Sequence, residues 1–187
     1  MRDLLPRIAA GRGVDSATFF RSGSAITVAA NTVYLWPMQV RRRHQRIDAL
    51  GARVVTGAAT RLLRVAVYAL RHDATPGVLI CQTSDLSAAT SNTTVTETIN
   101  RTVRRGTYLL ALVSDGTPGL RALEHPRAGL DFFGFELATS TLPILGFTAS
   151  LTYPSSAAGA SMPETISGTL TNITSGTSLA DVIVNAA

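Results

Sequence analysis

Apolar and polar positions alternate along short segments of the chain from Ile26 onward. A period of two places successive side chains on opposite faces of a β-strand, so the pattern predicts strands and not amphipathic helices. The segment 93–101 is typical, because threonines alternate with larger apolar residues and predict a strand with one solvent-exposed face. Other segments that predict strands are 26–29, 32–37, 47–56, 61–70, 77–83, 107–113, 130–135 and 144–153.

Two of these segments predict where the core lies. In 61–70 the face formed by Leu63, Val65 and Val67 is more apolar than the face that contains Arg64, so we expect the former to be buried. In 107–113 the apolar run is nearly continuous, which predicts a central strand covered on both faces.

Turn-forming residues separate the segments at intervals typical of β-sandwiches. Segments 73–77 and 115–119 both end in Pro-Gly, which favours a type II turn because proline fixes φ and glycine accepts a positive φ. We therefore predict an all-β chain, an antiparallel two-sheet sandwich of about eight strands. One short helix is predicted at 119–124, inside the long connection that follows Asp115.

The chain divides into a body and two ends. Residues 1–25 have no sustained period and predict an N-terminal arm for attachment or subunit contacts. Residues 26–153 form the predicted sandwich. Residues 154–187 are rich in Ser, Thr and Gly and predict an extended C-terminal segment, which adds edge strands or contacts another subunit.

The charge distribution bears on partners. All 17 basic residues are arginine, and residues 1–71 carry a net charge of +9 while residues 72–187 carry −4. Such halves fit either a nucleic-acid contact or a subunit whose ends meet different neighbours. We favour the second and expect no nucleic-acid partner, because nucleic-acid binders usually mix lysine with arginine and interleave aromatic residues. A GC-rich genome also produces arginine in place of lysine.

The densest charge run is Arg41-Arg-Arg-His-Gln-Arg46. It is predicted to be a loop between two strands, and either a solvated loop or an inter-subunit contact is favoured over a phosphate-binding patch. The unmatched charge of the two halves and the two long terminal segments predict a homo-oligomer. The candidate assembly contacts are Arg2, Arg7, Arg12, Arg41, Arg42 and Arg43.

Motifs for catalysis, metal binding and membrane insertion are not found. His44, His72 and His125 lack zinc-like partner spacing, and Cys81 is the single cysteine. No apolar stretch has the length of a signal peptide or a membrane span. We expect no metal, no cofactor, no membrane insertion and no enzymatic activity.

Candidate ligand-binding residues lie mainly in the connection from Asp115 to Leu130, which is long enough to be functional and otherwise covers a sandwich end or a subunit interface. Trp36, the sole tryptophan, could stack on a sugar ring, although its apolar strand predicts a core position equally well. The candidates are Asp115, Arg121, Glu124, His125, Arg127 and Trp36.

Several segments together resemble a jelly-roll module of tail fibres, spikes and other surface proteins in tailed phages and phage-derived gene transfer agents. The resemblance lies in Tyr34-Leu-Trp-Pro37, the segment 47–59, Leu63-Arg-Val-Ala-Val-Tyr68, Thr75-Pro-Gly-Val-Leu79 and the segment 105–114. It covers residues 30–115, a little under half of the chain. Carbohydrate-binding domains share this module.

The resemblance implies a non-enzymatic virion component, assembled in the bacterial cytoplasm and usually trimeric. Such a subunit would contact other virion proteins through its N-terminal arm and host surface polysaccharide through its loops. No coiled-coil heptads or stalk repeats occur, so a compact fibre tip, spike or head-decoration knob is expected. The alternative is a free carbohydrate-binding β-sandwich module.

Overall fold

The computed structural model describes residues 21–73, 75–124, 144–154, 160–174, 179–180 and 182–186. Within these ranges the chain is all-β, contains no helix, and forms one curled antiparallel sheet, which confirms the predicted all-β antiparallel class. The strands are β1 (Arg21–Thr27), β2 (Thr32–Thr56), β3 (Leu62–Leu70), β4 (Pro76–Gln82), β5 (Leu86–Ser87), β6 (Thr93–Ser114), β7 (Gly119–Glu124), β8 (Ile144–Ser150), β9 (Thr171–Thr174), β10 (Leu179–Ala180) and β11 (Val182–Ala186).

The sheet is organised around one long ladder between β2 and β6, which have 25 and 22 residues. The ladder runs from the pair Tyr34 and Leu112 to the pair Val54 and Thr93. Each long strand joins two segments that the sequence predicts to be separate strands. The predicted loop at 41–46 and the predicted break between the strands 93–101 and 107–113 are therefore wrong, because both places lie inside continuous strands.

Bulges explain how polar segments continue these strands. The register shifts between Val40 and His44 and again between Ile47 and Ala49. At the second shift Asn100 adopts a positive φ of 52°, a left-handed conformation that asparagine tolerates better than most residues. The residues without a partner in the ladder lie at these two points, so the strands bend there and their pairing continues beyond each bulge.

The predicted helix at 119–124 is wrong, since these residues form β7. β7 pairs with β1, with Arg121 opposite Ala25, and touches the end of β2 through Leu120 and Val54. Pairing with distant strands satisfies its backbone groups and overrides the weak local pattern. The predicted strand at 130–135 and most of the arm lie outside the described residues.

The order of the sheet leaves the middle of the ladder only two strands wide. The main path is β1-β7-β2-β6-β3-β4. β8 pairs with β2 at residues 32–35 and β11 pairs with it at residues 47–52, while β3 pairs with β6 only at residues 108–114. Among the described residues, β2 from 36 to 46 and β6 from 93 to 107 are therefore paired only with each other.

Two apolar clusters lie on opposite faces of the sheet. We call them the inner cluster, which contains Leu63, Val65 and Val67, and the outer cluster, which contains Ala66 and Tyr68. The predicted core face of β3 is confirmed, with Leu63, Val65 and Val67 fully buried in the inner cluster. The other face is buried as well, since Ala66 and Tyr68 belong to the outer cluster. In β6, Leu110 and Leu112 are inner while Leu109, Ala111 and Val113 are outer, so the predicted two-sided burial of this strand is also confirmed.

A segment near the C-terminus covers the outer cluster. We call residues 160–170 the strap, whose Met162 and Ile166 are buried against the sheet. The amide of Leu79 donates to the carbonyl of Glu164 at 2.8 Å, and the amide of Met162 donates to Gln82 Oε1 at 2.7 Å. These bonds occupy backbone and side-chain groups of β4, which ends the main strand path.

Candidate functional site

Two groups of polar residues distinguish this fold, and they lie in different environments. One is a buried cluster of Arg64, Asp85 and Tyr153, beside the outer apolar cluster. The other is an exposed set of arginines on the middle of the β2–β6 ladder. The first connects parts of the chain to one another, while the second faces solvent.

The buried cluster centres on one carboxylate oxygen. Arg64 Nε and the Tyr153 hydroxyl both donate to Asp85 Oδ1, each at 2.7 Å. The Arg64 side chain is 3% exposed and that of Asp85 16%. The Arg64 guanidinium also lies over the Tyr153 ring, 6.0 Å from its centroid, within the range of a cation–π contact.

The sequence brings these three residues together through the sheet. Arg64 is on β3, Asp85 precedes β5, which pairs with β3, and Tyr153 follows β8. Burial raises the pKa of Tyr153, and its hydrogen bond to the Asp85 carboxylate raises it further. A neutral hydroxyl, a carboxylate and a guanidinium thus satisfy one another, so the cluster holds the segment after β8 against the sheet.

A second tyrosine holds the strap. The hydroxyl of Tyr68, on β3, donates to the carbonyl of Pro163 at 2.8 Å, and burial raises the pKa of this phenol. Since Tyr68 is fully buried, the bond satisfies a strap carbonyl away from water. Both tyrosines therefore anchor C-terminal segments to the outer face.

The exposed set, which we call the cationic ridge, comprises residues 42–46 and 101–105. Along the ladder, His44 lies opposite Arg104 and Arg46 opposite Thr102. These four are exposed, whereas Gln45 and Val103, which also face each other, are buried toward the inner cluster. His44, Arg46, Thr102 and Arg104 thus lie on the outward face of a ribbon whose inward face is part of the core. Arg101 is also exposed, but it pairs with the buried Ile47 and so lies on the inward side of the ribbon.

Most arginines of the ridge form no ion pair within the described part of the chain. Arg46 forms an ion pair with Asp48 beside the ridge. No ion pair joins any of the other ridge arginines to a residue that the structure describes. These arginines are Arg42, Arg43, Arg101, Arg104 and Arg105. Guanidinium groups that are crowded on two strands repel one another and attract an anionic partner.

The ligand-binding candidates of the connection after Asp115 are not gathered in one loop within the described residues. Asp115 Oδ1 accepts from the amide of Leu62 at 2.7 Å, so this carboxylate fixes the start of β3. Arg121 is half-buried on β7, and Glu124 ends that strand. His125 and Arg127 lie outside the described residues.

The other candidates fall in three places. Trp36 is 8% exposed and packs in the inner cluster, so it offers almost no ring surface to a sugar. Arg42 and Arg43 are exposed at the first bulge, where Arg41 is described only in its backbone. Arg2, Arg7 and Arg12 lie outside the described residues.

The sequence analysis missed six residues of these two groups. Arg64 had a signal, because it is a charge inside an otherwise apolar strand, and such a charge needs a partner. Asp85 and Tyr153 had none, because their contacts depend on long-range packing. Arg101, Arg104 and Arg105 become neighbours of the 42–46 run only through the ladder register.

Nothing in the described residues gathers groups for metal or thiol chemistry. No set of three or more His, Cys, Asp or Glu side chains is placed there to hold a metal ion. Burial raises the pKa of Cys81 to about 11, which keeps the thiol protonated near neutral pH. No helix of the described residues could cross a membrane. No protein-family model matches the chain, and no curated protein matches it either.

Proposed function

We propose that the chain is a structural subunit of a tailed-phage or gene-transfer-agent particle. In this proposal its curled sheet is a jelly-roll sandwich, and the subunit forms a fibre tip, spike or decoration knob that contacts the host surface. The subunit acts as a homo-oligomer, with a trimer favoured. It binds and assembles, and it catalyses no reaction.

The observation that carries the proposal is the separation of the charged groups. Asp85 and Asp115 are engaged by Arg64 and by the amide of Leu62, so both carboxylates hold the fold together. Five arginines that form no ion pair with a residue that the structure describes are exposed close together on the β2–β6 ladder, namely Arg42, Arg43, Arg101, Arg104 and Arg105. An internally satisfied body with a charged exposed face suits a subunit that binds through its surface.

The placement of the resembling segments adds support. Tyr34–Pro37 lies in β2, residues 105–114 lie in β6, Leu63–Tyr68 lies in β3 and Thr75–Leu79 leads into β4. These four strands are consecutive neighbours in the sheet. The segments that carry the resemblance therefore form one contiguous unit, as a shared module would.

The test is whether the chain is present on particles. Particles purified from the source strain are analysed by mass spectrometry and by immunogold labelling with antibody to this chain. We expect a fixed copy number per particle and label at one structural position. Absence of the chain from intact particles, with abundant free protein in the lysate, would contradict the proposal.

The assembly state is a separate measurement. Light scattering on the purified full chain should give an oligomer at micromolar concentration. A clean monomer that also stays monomeric when mixed with particle proteins would contradict the homo-oligomer.

A further inference from the structure

We propose that the cationic ridge is the host-contacting surface and that it binds an anionic glycopolymer of the cell envelope. The inference rests on the proposed function and names the partner of that surface. The shared chemistry of the partner is a recurring phosphate or carboxylate group on a polysaccharide chain.

The outward side chains of the ridge lie on the face of the sheet that is opposite the inner cluster. Ile47 and Val103 are buried in that cluster, and the side chains on the opposite face point away from it. Neither strand has a second neighbour here among the described residues, so none of the described strands flanks the ridge. An exposed sheet face of this kind suits contact with an extended layer of anions and does not enclose a small molecule.

The spacing of the arginines suits repeated anionic groups. Facing residues of an antiparallel pair lie about 5 Å apart, and residues two apart on one strand lie about 7 Å apart. Arg46 and Arg104 are on the outward face on different strands, and Arg42, Arg43 and Arg105 extend the charge at the first bulge. A guanidinium binds phosphate or carboxylate through two parallel hydrogen bonds, which a lysine cannot do.

The ridge offers charge and not ring stacking. Trp36 is in the core, and Tyr108, the aromatic residue of β6 beside the ridge, is half-buried with its hydroxyl bonded to the Arg104 carbonyl at 2.8 Å. Neutral sugars and single-stranded nucleic acids are held mainly by stacking on exposed aromatic rings. The described ridge therefore favours a partner recognised through its anionic groups.

Duplex nucleic acid fits this geometry less well. The regular ladder between the two bulges has four residue pairs, from His44 to Ile47, which is about 13 Å of strand. The bulges bend the ribbon on both sides, so it cannot follow a groove as a straight β-ribbon does. An envelope layer needs no such continuity, since several subunits of an oligomer bind it together.

The experiment measures binding of the full chain to four immobilised polymers at physiological ionic strength. They are a phosphate-bearing teichoic acid, a carboxylate-bearing polyuronate, neutral dextran and a random-sequence duplex DNA. We expect binding to the first two, weakening with salt, and none to dextran. The stronger of the first two arms identifies the anionic group.

Two double variants localise the binding, namely Arg42→Gln with Arg43→Gln, and Arg104→Gln with Arg105→Gln. We expect each to weaken binding about tenfold. Arg53→Gln is the matched control, because Arg53 is exposed on β2 outside the ridge, and we expect less than about a twofold change. Thermal melts of all variants check folding.

Three outcomes overturn the inference: tighter binding to duplex DNA than to both glycopolymers, equal binding to dextran, or an equal loss from Arg53→Gln. Failure here is distinguishable from failure of the proposed function. A chain that is found on particles but binds no anionic polymer remains a particle subunit with a different contact surface.

Discussion

The two halves of the β2–β6 ladder share the same strands and differ in what covers them. From Tyr34 to Val40 the ladder is packed on its inner face and, through the outer cluster and strap, on its outer face as well. From His44 to Val54 the described residues pack on the inner face only. Threonines of β6 therefore alternate with less exposed residues in this second half, while β6 is continuously apolar in the first.

The difference separates stability from recognition along one pair of strands. Beside the half with two covered faces, polar side chains of β3 and of the segment after β8 bond to protein groups, as Arg64, Tyr68 and Tyr153 do. In the half with one covered face, the ridge arginines face water. Substitutions in the first half should therefore change the free energy of unfolding, and substitutions on the ridge should change binding.

The largest expected contrast in the free energy of unfolding is between two carboxylates, each of which accepts a hydrogen bond from an arginine. Asp85→Ala leaves the buried Arg64 charge without its counterion, and we expect a loss of about 3–5 kcal/mol in the free energy of unfolding. Asp48→Ala removes the exposed partner of Arg46, whose side chain is 56% exposed, and should cost less than about 1 kcal/mol. Urea unfolding measures both.

The comparison between halves would fail if the two variants lost similar stability. Arg64→Met combined with Asp85→Leu is a useful third variant. It removes both charges together, so it should recover much of the loss of Asp85→Ala, because no unpaired buried charge remains.

The next contrast uses two glycines. A Cβ on Gly146 of β8 would lie 2.2 Å from the Leu35 carbonyl oxygen, so Gly146→Ala forces β8 away from β2. We expect a loss of about 1–3 kcal/mol. Gly106→Ala would meet only the Tyr108 ring at 3.6 Å, an ordinary contact, and should stay within about 0.5 kcal/mol of the wild type. Thermal melts that rank the two in the opposite order would contradict the close packing of β8.

Local sequence pattern predicted the parts of this fold that local chemistry determines. The apolar face of Leu63, Val65 and Val67 and the two-sided burial of β6 follow from periodicity alone, and both are confirmed. The chain leaves the strands at 57–60 and 115–118, close to predicted breaks, but the predicted type II turns at 73–77 and 115–119 are wrong. Gly77 and Gly119 begin or lie within strands β4 and β7, and neither has the positive φ that such a turn requires.

Long-range pairing determines the rest, and local pattern could not show it. The run 41–46 is polar enough to predict a loop, yet pairing with β6 and the bulges make it strand. Residues 119–124 pair with β1, 21–27, across nearly a hundred residues of chain. The ridge exists only because this register sets Arg104 opposite His44, and the buried cluster only because Tyr153 packs over Arg64.

The smallest expected effect concerns two tyrosine hydroxyls, one on the outer face and one beside the ridge. Tyr68→Phe removes the hydrogen bond to the Pro163 carbonyl and should cost about 1 kcal/mol near neutral pH. Tyr108→Phe, beside the ridge, removes a hydroxyl that is bonded to the Arg104 carbonyl at a half-buried site, and we expect a smaller loss.

The pH dependence sharpens this contrast. Burial raises the pKa of Tyr68 and of Tyr153 above the ordinary value of 10.0, so the folded chain retains phenolic protons that the unfolded chain releases. The contribution of these two phenolic protons to the free energy of unfolding is complete below about pH 10 and is lost as the pH rises above that value. Urea midpoints measured from pH 8 to pH 11 should therefore fall steeply for the wild type and less steeply for Tyr68→Phe combined with Tyr153→Phe. An unchanged slope in the double variant would mean that other groups, such as Cys81 with its pKa of about 11, control alkaline unfolding.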